Sequence, residues 1–109
     1  MSHVVTSHAQ ELTTARERIA ETGRSIYDRG LTFGSTGNIS VRLSDGRLLL
    51  TPTNVAMGRL DPAALSLTDA GGAYISGEKP TKEAFLHATM YGAREDAGAV
   101  VLATEVMAD

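Results

Sequence analysis

The sequence predicts a single α/β domain, and three observations carry that expectation. Residues 7–29 repeat apolar side chains at helical spacing, and Asn38 to Leu43 alternates apolar and polar residues as a strand does. After them, turn residues separate short apolar runs up to a second helical stretch at Lys82 to Ala93. The chain has 109 residues, 42% of them hydrophobic and 21% charged, which suits one modest core. A net charge of −3 without a basic block argues against a nucleic-acid partner. The absence of cysteine rules out disulfides and thiolate metal sites and fits a cytoplasmic location. No apolar run reaches the length of a membrane span, and the first residues lack the pattern of a signal peptide.

In chain order, Leu12, Ala15, Ile19, Gly23, Ile26 and Tyr27 recur at steps of three and four and predict one buried helix face. Ser7 is the expected N-cap and Gly30 the expected left-handed stop. Leu31 to Gly37 then forms a small polar turn whose short side chains and open N–H groups suit a phosphate or carboxylate, and equally an ordinary tight turn. In the strand that follows, Ile39, Val41 and Leu43 point one way and Ser40, Arg42 and Ser44 the other. Asp45-Gly46 predicts a hairpin to Leu48-Leu49-Leu50, a run without alternation and so buried on both faces. Pro52 ends that strand, and the hairpin directs Thr53 and Asn54 toward the space of Asn38.

Asp61 caps a short turn opened by Pro62. Leu65 to Thr68 and Ala73 to Ser76 read as a second hairpin about Asp69 to Gly72. Thr81 is the expected cap of the second helix, with Phe85, Leu86, Thr89, Met90 and Ala93 as its buried side, and Ala97 to Ala103 as a last strand. Glu83 and His87 lie one turn apart on that helix. They suit a carboxylate and an imidazole aimed at one site, but spacing alone favours a dipole-stabilised glutamate beside a satisfied core or surface histidine. Lys82 opposes the dipole there, which an anion at the helix start would explain and a solvated surface lysine would explain as well.

Gly37-Asn38-Ile39-Ser40-x-Arg42, Leu50-Thr51-Pro52-Thr53 and Lys79-Pro80-Thr81-Lys82-Glu83, in that order, resemble the class II aldolase/adducin-head family, and within it the four-carbon sugar-acid decarboxylases. The resemblance runs from about Ser7 to Val101. It implies a three-layer α/β/α domain with a mostly antiparallel sheet. It implies a divalent-metal-dependent lyase, usually with zinc, that decarboxylates or aldol-cleaves a phosphorylated four-carbon sugar acid, in a homo-oligomer. By the same resemblance Asn38, Thr53, Asn54, Thr81 and Lys82 bind the substrate phosphate and Glu83 is the catalytic acid/base. No family role transfers to His87.

The resemblance also predicts a departure. Where the family has a His-x-His metal-ligand pair after the strand, this sequence has Leu102 and Thr104. The chain is shorter than the family domain, so the resemblance predicts its N-terminal half, truncated, with no complete metal site, Glu83 being a possible ligand, and no bound zinc. Turnover by the chain alone is therefore not expected. The alternatives to a lyase are a non-catalytic phosphate- or sugar-acid-binding module and an inert interaction fragment like the non-enzymatic adducin heads.

Overall fold

The computed structural model describes residues 3–30, 37–53 and 55–102. A long helix, α1 (His3–Asp28), is followed by strands β1 (Asn38–Arg42) and β2 (Leu48–Leu50). Two 3-10 turns, Met57–Arg59 and Pro62–Ala64, lead to β3 (Ser66–Thr68) and β4 (Tyr74–Gly77). A shorter helix, α2 (Ala84–Ala93), and β5 (Ala99–Leu102) complete the described chain. The strands form one sheet in the order β4-β3-β2-β1-β5, and every pairing is antiparallel.

The two helices cover opposite faces of this sheet, as the expected α/β/α layering requires. Ile39 and Val41 of β1, Leu49 of β2 and Leu67 of β3 join Ala15 and Ile19 of α1 in one apolar core, with Met57, Leu65 and Leu43. Leu48 and Leu50 point the other way, onto Ala84 and Tyr91 of α2. All three leucines of β2 are fully buried because each face of this central strand has a helix over it. The register keeps the faces aligned: Ser40 lies opposite Leu50 and Val41 opposite Leu49.

Local sequence explains several boundaries. Gly30 has φ of 74° and ends α1 in the left-handed conformation expected of it. Asp45 and Gly46 turn the first hairpin, closed by Gly46 N–H to the Leu43 carbonyl at 2.9 Å. The Asp61 carboxylate caps its 3-10 turn through Ala63 N–H at 2.9 Å. Asp69 ties the second hairpin by accepting from Gly71 and Ala73 N–H, both at 2.9 Å. Gly23 is buried where the first 3-10 turn crosses α1, and a Cβ there would lie 2.6 Å from the Met57 carbonyl oxygen.

Four expectations are corrected. Ser7 is not the start of α1 but lies inside it, because no glycine or proline interrupts the helical run back to His3. Tyr27, expected on the buried face, is 44% exposed at the last turn of α1, where its ring lies against Gly58 of the first 3-10 turn rather than in the core. The second helix begins at Ala84 rather than Lys82, with Lys82 and Glu83 in the turn before it. Its buried side is also different: Ala84, His87 and Tyr91 face the sheet, while Phe85, Leu86, Thr89, Met90 and Ala93 are exposed, Phe85 to 65%. The reason lies across the interface, where β1 presents hydrogen-bonding groups that His87 and Tyr91 satisfy and a Phe or Met could not.

Candidate active site

Strand periodicity places Asn38, Ser40 and Arg42 on the α2 side of β1, and helix periodicity places Glu83, His87 and Tyr91 in a column facing them. The two rows are joined by a continuous chain of hydrogen bonds. Asn38 Nδ2 donates to Glu83 Oε1 at 3.1 Å, and Thr81 Oγ1 donates to the same oxygen at 2.9 Å. Asn38 Oδ1 and His87 Nε2 are in direct contact. His87 Nδ1 lies 2.6 Å from Ser40 Oγ, which in turn lies 2.8 Å from the Tyr91 hydroxyl. The Arg42 guanidinium stacks 5.1 Å from the centre of the Tyr91 ring and donates to the carbonyls of Tyr91, Glu95 and Ala97, which fastens the end of α2 to the sheet.

The interior of this hydrogen-bond chain is buried. Ser40 and His87 have no exposed surface, and Asn38 and Thr81 are nearly covered. Burial lowers the His87 pKa from 6.5 to about 4, against the opposing pull of the Glu83 carboxylate, so its imidazole is neutral at pH 7. Burial raises the Tyr91 pKa, offset in part by the Ser40 hydrogen bond and the Arg42 charge. Glu83 stands at the partly open end of the chain, beside Thr81.

The extended segments leading into the site are paired. Thr51 N–H donates to the Ile39 carbonyl at 3.0 Å, and Ile39 N–H donates to Thr51 Oγ1 at 3.2 Å. Pro52 and Pro80 form an antiparallel bridge, with Thr53 N–H on the Lys79 carbonyl at 3.0 Å and Thr81 N–H on the Thr51 carbonyl at 3.3 Å. Two loops distant in sequence thus set Thr53 and Thr81 on neighbouring strands of chain.

Of the residues singled out in the sequence, Asn38 and Thr81 both bond Glu83, and Thr53 is partly buried on the adjoining segment. Lys82 is exposed and precedes α2, so it does not sit in the first helical turn where the dipole argument put it. Asn54, Thr104 and residues 31–36 of the glycine-rich turn lie outside the described residues. Position 102 is opposite Asn38 in the β1–β5 register. Ser40 and Tyr91 were missed as members of the constellation. The signal for them is the same pair of periods: Ser40 is two residues from Asn38 on a strand, and Tyr91 four from His87 on a helix.

Among the described residues, no three His, Cys, Asp or Glu side chains come together as metal ligands. Both ring nitrogens of His87 are engaged by Ser40 and Asn38, and Glu83 Oε1 already accepts from two donors. This donor set does not fit a divalent metal.

The model of the Class II Aldolase and Adducin N-terminal domain matches residues 17–107. A 3-oxo-tetronate 4-phosphate decarboxylase of Cupriavidus necator is 48% identical over 86 residues, covering 79% of this chain and 39% of that protein. A methylthioribulose-1-phosphate dehydratase of Methylococcus capsulatus is 38% identical over 94 residues, covering 86% of this chain and 46% of its own. The crystal structure of YgbL from Escherichia coli superposes with a TM-score of 0.82 at 37% identity, over 87% of this chain and 46% of that one. The chain therefore spans less than half the length of each of these relatives.

Proposed function

This chain belongs to the Class II Aldolase and Adducin N-terminal domain family, and from that premise we propose that it carries the phosphate-binding and acid/base portion of a sugar-acid lyase site. The substrate class is a phosphorylated four-carbon sugar acid, as the decarboxylase relatives' name suggests. The observation that carries the reading is Glu83: its carboxylate is held by Asn38 Nδ2 and Thr81 Oγ1 at the open end of a buried hydrogen-bond chain. A carboxylate so placed is oriented but still reachable, which is what a proton-transfer group needs.

The chemistry assigns each part. Loss of CO2 from a 3-oxo-tetronate 4-phosphate breaks the bond between C1 and C2 and leaves the electron pair on an enediolate. Protonation at C2 then gives dihydroxyacetone phosphate. Glu83 is the acid/base group for that step, a role worth roughly 10²–10⁴-fold where such a group is positioned. Thr81, Asn38, Thr53, Asn54 and Lys82 take the phosphate, so that binding energy from the non-reacting end of the substrate orients the reacting carbon. A divalent metal, which the family resemblance implies, would stabilise the enediolate charge. The described residues do not fit such a metal, so the proposal for this chain concerns binding and proton transfer.

The test is titration with dihydroxyacetone phosphate while amide shifts are followed. Shifts gathered at Asn38, Thr53, Asn54, Thr81 and Lys82 support the proposal. Saturable shifts centred elsewhere refute it, as does a complete lack of binding. A second reading, an interaction piece akin to adducin heads, is favoured by the uncovered apolar row Phe85, Leu86 and Met90 on α2. Concentration-dependent sedimentation that the triple replacement by Ser abolishes would support it.

A further inference from the structure

The hydrogen-bond chain behind Glu83 has one consistent polarity, and His87 is where that polarity is set. A carboxylate oxygen accepts, so Asn38 must turn its amide Nδ2 toward Glu83 Oε1. The other end of the same amide, Oδ1, can only accept, and its partner is His87 Nε2. The imidazole must therefore carry its proton on Nε2, leaving Nδ1 bare to accept from Ser40 Oγ–H. Ser40, whose O–H donates to His87, accepts in turn from the Tyr91 hydroxyl. Every donor in the chain points from Tyr91 toward Glu83. The opposite imidazole tautomer would place two acceptors, bare Nε2 and Asn38 Oδ1, face to face beside a ring without exposed surface, whereas the Ser40 hydroxyl can donate or accept and so follows whichever tautomer Asn38 selects.

We infer that His87 is a positioning residue: seated by Nδ1 on the Ser40 hydroxyl that Tyr91 also bonds, and carrying its proton on Nε2 toward Asn38 Oδ1, it locks the Asn38 amide so that Nδ2 faces Glu83 and the substrate side of the site. This deepens the reading of the site given above and rests on it for the identity of the substrate. The geometry of the chain stands independently. The fully buried position of His87 and its neutral ring agree with a polarity that never reverses near pH 7. The inference also explains why the helix buries His87 and Tyr91 in place of its apolar residues.

Nitrogen-15 NMR of the imidazole in the full chain reads the tautomer directly. The expected result at pH 7 is a protonated Nε2 and an unprotonated, hydrogen-bonded Nδ1. A protonated Nδ1, or a ring averaging between tautomers, would overturn the inference. Two variants add a functional readout with dihydroxyacetone phosphate as probe. His87→Gln keeps a donor for Asn38 Oδ1 and is expected to hold affinity within about threefold, whereas His87→Phe removes donor and acceptor together and is expected to lose about tenfold. Unchanged affinity in a folded His87→Phe chain would also overturn it. If that variant does not fold, the tautomer and the Gln variant still decide. Should the unmodified chain bind no dihydroxyacetone phosphate, the substrate proposal falls, while the NMR result continues to judge His87 alone.

Discussion

The sheet has two unlike faces, and β1 contributes to both. Toward α1 it sends Ile39 and Val41 into a core of aliphatic side chains closed by Ile19, Leu49 and Met57. Toward α2 it sends Asn38, Ser40 and Arg42, which meet His87, Tyr91 and the carbonyls that end the helix. Both faces are buried, but they are held by different physics. The first gains from removing apolar area from water and tolerates small changes of shape. The second gains little net free energy from each hydrogen bond and is penalised heavily if any member loses its partner. A five-residue strand with period two can therefore serve stability with one set of residues and chemistry with the other.

Truncating the apolar face should give the largest effect. Leu49→Ala removes a fully buried side chain of the central strand and is expected to destabilise by about 2–5 kcal/mol, measured by urea denaturation. A cost below about 1 kcal/mol would mean that the α1 face is not the main source of stability. Gly23→Ala should follow at about 1–3 kcal/mol, because the new methyl meets the Met57 carbonyl and the 3-10 turn has to move.

The polar face should announce itself through pH. His87 titrates at about 4 in the folded chain and near 6.5 when unfolded. Between those values the unfolded state binds more protons, so stability is full above about pH 6.5 and falls as the pH drops toward 4. The loss from this group is on the order of 2 kcal/mol. In His87→Gln that portion of the acid slope should vanish, and an unchanged slope would assign it to other groups. Ser40→Ala leaves His87 Nδ1 and the Tyr91 hydroxyl without their shared partner and should cost about 1–3 kcal/mol despite removing a single atom.

The smallest effect sharpens the contrast. Ser66 Oγ is buried on the α2 side of β3 with no hydrogen-bond partner among the described residues. Ser66→Ala should be neutral within about 0.5 kcal/mol or mildly stabilising, since it deletes an unsatisfied group rather than a used one. A clear loss of stability on thermal denaturation would show that Ser66 is engaged after all.

Much of this was legible in the sequence. The alternation of Ile39 to Arg42, the Asp45-Gly46 hairpin, the Asp61 cap and the Gly30 stop are local features, settled by backbone sterics and by side chains within a few residues. The doubly buried β2 was legible because three consecutive leucines leave no solvent face. The α2 face was not. That helix is apolar on nearly every side, so its own periodicity could not choose between Phe85, Leu86 and Met90 and the column of Ala84, His87 and Tyr91. The choice was made by Asn38 and Ser40, more than forty residues away in the chain, whose buried polar groups demand partners. Local pattern fixes which elements form and where they turn; only the packed structure decides which faces meet, because the cost of an unpaired polar group is incurred only when two distant segments come together.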